Sequence, residues 1–141
     1  MDPGRREKIE SQARMLAVGH FVVGGIVLFF SLLPLIYVVI GVAFMFIDVP
    51  QQPGEPPPAF MGAIFAVFGG CATLFIAALG VGNLYGGVIL RRMRGRTFLF
   101  VLAVLNLLHQ PLGLILGIFS LIFLVQADVK DVFEADPELL D

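Results

Sequence analysis

The chain has almost no charge where it matters. No Asp, Glu, Lys or Arg occurs between Arg14 and Asp48, from Phe60 to Leu90, or from Thr97 to Gln126. A bilayer core takes about 20 apolar residues per helix, and each stretch is longer than that. A small soluble protein has no use for uncharged runs of this length, so the sequence is that of a multi-pass membrane protein. Charged residues make up 14% of the 141 residues and the net charge is −2, which gives nucleic acid no electrostatic handle. Trp is absent, whereas Phe occurs 14 times and is unusually common. Cys71 is the single cysteine, which excludes an internal disulfide and a multi-cysteine metal site. Among small residues in mid-span it reads as a packed, inert thiol.

The charges that are present set the topology. Residues 1–14 carry Arg5, Arg6, Lys8 and Arg14, and the loop Arg91–Arg96 carries Arg91, Arg92, Arg94 and Arg96. The loop Asp48–Ala59 has no basic residue. Cytoplasmic loops are enriched in Lys and Arg, so the N-terminus and the arginine loop are expected inside and the first loop outside. The arginines are candidates for topology signals and for contact with lipid headgroups. The apolar run after residue 14 is too long for the core of a cleavable signal and reads as a retained anchor. Five prolines between Pro50 and Pro58 exclude a helix there and make the first loop a stiff extended cap.

The organisation expected is a basic cytoplasmic segment (1–14), a transmembrane domain (15–126) and an acidic tail (127–141). Spans are placed at about 15–47, 60–90, 94–108 and 111–126. Pro34 is expected to kink the first, and Ile9, Ala13 and Leu16 share a face ahead of membrane entry. The last two spans come from one stretch broken at Asn106-Leu-Leu-His109-Gln110-Pro111. As a single helix this stretch would hold those polar groups at the midplane and lose a backbone hydrogen bond to Pro111. As a hairpin it puts Pro111 in a first helical turn. The fold expected is therefore an all-α, four-helix transmembrane bundle whose last two helices form a short hairpin. Three spans with a kinked third is the alternative.

Small residues mark the candidate packing positions. Gly62, Ala66, Gly70, Ala78, Gly82 and Gly86 follow a four-residue spacing, and Gly113 and Gly117 form a second GxxxG pair. Small residues on a shared face let helix backbones approach closely in a membrane. The phenylalanines read as lipid contact and bundle filling. In the tail, Val129, Val132 and Phe133 recur at helical spacing among Asp128, Asp131 and Glu134. An amphipathic helix over about 127–135 is expected there, solvated or docked on the inner face with its acids toward the arginine loop.

Chemistry is sparse. The polar residues within spans are His20, Ser31, Thr73, Asn83, Tyr85, Asn106, His109 and Gln110. With no carboxylate among them, a proton- or sodium-coupled transporter is disfavoured. His20 reads as interfacial, His109 as a turn residue, and Asn83 and Asn106 as hydrogen-bonding between helices. No catalytic residues, metal ligands or cofactor-binding residues emerge. The function expected is structural: a non-enzymatic oligomerising module or accessory subunit of a membrane complex, with the bilayer and further subunits as partners. The alternative is a small pore or transporter for an uncharged or lipophilic solute.

The segments Gly86-Gly-Val-Ile-Leu90-Arg-Arg-Met-Arg94, Leu102-Ala-Val-Leu-Asn106-Leu-Leu, Pro111-Leu-Gly113 and Leu116-Gly-Ile-Phe119-Ser-Leu121 carry a resemblance. Over roughly residues 80–133 the chain resembles a set of small bacterial multi-pass membrane proteins of unknown function. Their shared pattern is a glycine-leucine segment, a basic turn, LxxLNLLxxPxG and LGIYxLW. Gln110, Leu114 and the missing Trp near Phe123 depart from it. The resemblance implies a bacterial inner membrane location and no particular site residue.

Overall fold

A computed structural model describes residues 3–47, 54–108 and 112–134. Of these, 88% are helical and none is in a strand. Six helices follow one another: α1 (Pro3–Phe30), α2 (Leu35–Phe46), α3 (Pro58–Arg91), α4 (Arg96–Leu107), α5 (Leu112–Val125) and α6 (Ala127–Glu134). Two segments are long and apolar enough to cross a membrane: Pro3–Phe46, taken through its break, and Pro58–Arg91. A third is reached only if α5 and α6 are counted together across a 77° bend. The charges on α6 make that union a poor span, so α5 stands alone at 14 residues, about 21 Å at 1.5 Å per residue. The chain divides into two compact units, residues 27–78 and residues 1–26 with 79–141.

In the unit 27–78, the chain passes from α1 to α2 through a tight turn rather than a simple kink. Pro34 has no N–H to give. Around it the backbone closes i→i+3 bonds, Leu32 to Phe29, Leu33 to Phe30, Leu35 to Leu32 and Tyr37 to Pro34, the spacing of a 3₁₀ turn. The Ser31 hydroxyl donates to the Leu28 carbonyl at 2.7 Å. Beyond this turn α2 runs antiparallel to the first half of α3 with glycine at each contact. A Cβ on Gly41 would stand 2.5 Å from the Ala66 nitrogen and the Gly62 oxygen, and one on Gly62 would strike the Gly41 oxygen. A Cβ on Gly69 would stand 2.8 Å from the Pro34 carbonyl oxygen. Tyr37 and Phe65 stack with centroids 6.3 Å apart. The contact face of α3 here is Gly62, Ala66, Gly69 and Thr73, none of them exposed.

That face corrects the four-residue spacing read from the sequence. Steps of four residues advance about 40° beyond a full turn, so they leave any one face within a few steps. Alternating steps of four and three hold it. Gly70 falls off the face and meets open space, and Ala78 is exposed. Cys71, expected to be packed, is exposed for the same reason: it points away from the side on which Gly69 and Thr73 lie.

In the other unit, α1, the second half of α3, α4 and α5 pack side by side. Gly24 lies 2.9 Å, at its virtual Cβ, from the Gly80 carbonyl, and Gly87 lies 3.1 Å from that of Ala17. These contacts run α1 and α3 antiparallel with backbones almost touching. Gly82 and Gly86 present a second face to Leu102 of α4. Gly117 of α5 sits against the Ala103 carbonyl and Leu107, which makes α4 and α5 an antiparallel pair. Residues that lie side by side cannot belong to one continuous helix, so α4 and α5 are separate helices folded back on each other. Gly113 is buried, while the turn residues His109, Gln110 and Pro111 lie outside the described residues.

One end of this unit is an apolar cluster of Ile9, Ala13, Ala17, Leu90, Leu99, Phe123, Leu124 and Val129. Helix α6 closes it. Val129 is fully buried, and Val132 and Phe133 pack on the cluster's edge. Asp128 pairs with Arg5 at 3.1 Å and Glu134 approaches Arg96 at 3.6 Å. Such exposed pairs contribute about 0–1 kcal/mol each, so the docking rests on the apolar side chains. Arg96 has a further task. Its Nε and Nη2 donate to the Leu124 carbonyl at 3.2 and 2.8 Å, satisfying a carbonyl that the end of α5 leaves without a helical partner. This capping role is additional to the topology or headgroup role read from its place in the arginine loop. The loop before it turns through Met93 (φ 48°) and Gly95 (φ 67°), with the Arg94 N–H returning to the Ile89 carbonyl as in a Schellman ending.

Two substitutions test this packing. Gly41→Ala puts a methyl group into backbone and should cost about 1–3 kcal/mol. Gly70→Ala should hold or raise stability by up to about 1 kcal/mol through helix propensity. Thermal unfolding in mild detergent separates them, and equal melting would place both glycines on open faces. Val129→Asp should release α6, read as faster proteolysis after residue 126. Unchanged cleavage would mean that the tail is not docked.

Candidate functional site

Among the described residues of the unit 1–26 with 79–141, the buried polar side chains gather in one layer drawn from four helices. His20 comes from α1, Asn83 from α3, Asn106 from α4 and Ser120 from α5. Their exposures are 1%, 0%, 1% and 2%. His20 Nδ1 lies 2.9 Å from Asn83 Oδ1 and Nε2 lies 3.1 Å from Ser120 Oγ. Asn83 and Asn106 exchange two amide hydrogen bonds, at 2.9 and 2.7 Å. Asn83 Nδ2 also donates to the Leu79 carbonyl at 2.9 Å. Among the described residues no buried side-chain nitrogen or oxygen lacks a partner.

The order of donors follows from one backbone group. The Leu79 carbonyl can only accept, so it holds the NH₂ of Asn83 toward itself. Asn83 Oδ1 is then turned to Asn106 and His20, and both must donate to it. His20 therefore carries its proton on Nδ1. In the neutral ring Nε2 has only a lone pair, so Ser120 must donate its hydroxyl proton there.

Local sequence explains the placement. Gly19 and Gly24 flank His20 by one position and one turn, and Gly82, Gly86 and Gly87 bracket Asn83. The missing side chains bring backbones near enough for short polar groups to span the gap. The helical hydrogen-bonding role expected for Asn83 and Asn106 is what the geometry displays. His20, expected at the interface, is instead enclosed. Its partners lie 63 and 100 residues away in sequence, and Ser120 was not singled out at all. A serine at a buried position of an otherwise aliphatic stretch was the available signal.

The connectivity Ser120–His20–Asn83 has the order nucleophile, base, orienter. Its surroundings are wrong for acyl transfer. Ser120 sits inside α5, where backbone N–H groups are taken by the helix and none is free to stabilise an oxyanion. Its side chain is covered on all sides. The arrangement is suited to locking four helices in register. No group of three or more His, Cys, Asp or Glu able to hold a metal ion occurs among the described residues.

A groove of about 560 Å³ lies between α1 and α5. Its walls are apolar, with Leu16, Gly19, Val23, Ile115 and Phe119 among them, and Gln12 and Gln126 stand at one end. It flanks the His20–Ser120 hydrogen bond without exposing either side chain. The other predicted residues are distributed as described above. Gly62 and Ala66 serve the α2 contact, Gly82, Gly86 and Gly117 serve α3–α4 and α4–α5, and Gly70 and Ala78 serve neither.

Asn83→Leu strands His20 Nδ1–H and both amide groups of Asn106, whereas Ser120→Ala removes one partner from His20. Each stranded buried group costs about 1–3 kcal/mol, so Asn83→Leu should be the more destabilising, and Asn83→Leu/Asn106→Leu should recover part of the loss. Denaturation of purified protein in mixed micelles measures this. Purely additive losses would show that the two amides do not interact.

No family model matches the chain, and no curated protein or solved structure matches it.

Proposed function

We propose that this chain is a structural, non-enzymatic membrane protein of the bacterial inner membrane, acting as an oligomerising module or as an accessory subunit of a larger membrane complex. The observation that carries the proposal is the fully paired polar layer. Its buried polar atoms are all met within the protein, and every bond but that of Asn83 to the Leu79 carbonyl crosses between helices, which suits a fixed scaffold better than a path for solute or a reaction centre. The α2 helix supports the interaction role. Gly41 is its one fully buried residue, and Val39, Ile40, Val42 and Phe46 stand exposed, free for lipid or for a second subunit. The bacterial location rests on the resemblance over residues 80–133.

In this reading α4 and α5 are two short spans, and the protein is a four-helix bundle with both termini in the cytoplasm. Twelve and 14 residues give about 18 and 21 Å against a core of about 30 Å, which local thinning of the bilayer can meet at modest cost. The Arg5–Asp128 pair supports placing both ends on one side, since a hairpin returns the chain to the side it left. Reporter fusions after Asp141 test it: alkaline phosphatase should be inactive there and green fluorescent protein bright. An active phosphatase would overturn the topology.

The role itself is tested by isolating the protein in mild detergent and weighing the intact complexes by native mass spectrometry. A single monomer with no accompanying subunit would count against it. A pore or transporter for a lipophilic solute is the second reading, favoured by the α1–α5 groove alone. Solute flux through reconstituted liposomes would establish it. Covalent labelling of Ser120 by a fluorophosphonate would replace both with an enzyme.

A further inference from the structure

At the basic end of the four-helix unit there is a smaller concavity of about 240 Å³. Arg6, Arg14, Arg91 and Arg92 line it, with Glu10 as the one acid in its wall. Ala13, Leu90, Met93 and Val132 supply the apolar remainder. The arginines come from α1 and from the end of α3, so the site exists only once these helices have packed. Glu10 is engaged by Arg6 Nε at 3.2 Å. The guanidinium of Arg91 lies 5.1 Å from the ring centroid of Phe21, which turns it toward α1. Neither Arg14, Arg91 nor Arg92 forms an ion pair with any described residue.

Position says what anion is available. Arg14 immediately precedes one uncharged stretch and Arg91 immediately follows another. The concavity therefore sits where the apolar spans end, at the level of lipid headgroups. Guanidinium groups bind phosphate oxygens through paired N–H donors, and basic pockets between helix ends are suited to anionic headgroups. We propose that this pocket binds the phosphate headgroup of an anionic phospholipid, with Arg14, Arg91 and Arg92 as its ligands. The pocket is narrower than the arginine loop read from sequence. It takes in Arg14 from the other end of the chain, and it omits Arg94 and Arg96, neither of which lines it. The proposal does not depend on whether the protein is a scaffold or a pore.

The test uses the full chain in a neutral detergent. Thermal stability is followed while phosphatidylglycerol, phosphatidylcholine or inorganic phosphate is added. Phosphatidylglycerol should raise the melting temperature of the wild type and of Arg94→Gln, with little response to the other two. In Arg14→Gln and Arg92→Gln, half-maximal stabilisation should need about fivefold more phosphatidylglycerol for each arginine removed. Lipid retention in native mass spectrometry supplies a readout that does not depend on melting. An equal response of all variants would overturn the proposal, as would an equal response to phosphatidylcholine or to inorganic phosphate. The acidic residues after Glu134 are the competing occupant. A lipid response that appears only after residues 135–141 are deleted would assign the pocket to the tail instead.

Discussion

The hydrogen bond from Asn83 to the Leu79 carbonyl is the constraint from which the four-helix unit takes its order. An amide in an apolar interior is tolerable only when its donors and acceptor are all met. By occupying one donor within its own helix, Leu79 leaves Asn83 with one donor and one acceptor facing outward, in known directions. Asn106 must meet both, His20 must offer Nδ1–H, and Ser120 must donate to His20 Nε2. Each requirement sets the axial position of one helix. A slip of a single residue along any of them would carry its polar group round the helix into apolar surroundings.

Glycine makes this possible, and it does so on two sides of α3. Gly87 admits the α1 backbone at Ala17, as Gly24 of α1 admits that of α3 at Gly80, whereas Gly82 and Gly86 admit the side chains of Leu99 and Leu102. The difference has energetic weight. A methyl group facing a carbonyl oxygen has nowhere to go, but one facing the end of a leucine can displace it. Lipid tails are as apolar as the helices they solvate, so burial of hydrocarbon contributes little to association in a membrane. Close backbone contact and satisfied polar groups carry the difference. In the unit 27–78, where no such polar layer occurs among the described residues, the Gly41–Gly62 approach and the Tyr37–Phe65 stack take that part.

Helices were legible in the sequence wherever a charge or a proline ended them. The termini of α3, the break at Pro34, the arginine turn and the apolar positions of α6 all rest on local chemistry. The candidate site was only half legible. Two asparagines in apolar stretches announce that they need partners, but nothing local says which. His20 was misjudged because its depth is set by Asn83 and Ser120, far along the chain. The small-residue spacing was misread for a different reason. Glycine and alanine are frequent throughout α3, so a four-residue series can be drawn through residues on several faces. Only the alternation of four and three follows the contact line. Arg96 looked like one more topology charge, because a side chain that caps another helix leaves no trace in its own neighbourhood.

The shortness of α4 and α5 has a bearing on how the protein is made. A 12-residue helix is below the length at which a nascent segment partitions into lipid by itself, and Asn106 makes this one less apolar still. In the proposed four-span arrangement the two arms therefore enter the bilayer as a pair, held against each other at Ala103 and Gly117. Even then Asn106 and Ser120 would confront hydrocarbon until α3 and α1 supplied Asn83 and His20. In that arrangement the first two-thirds of the chain serve as an internal receptor for the last third.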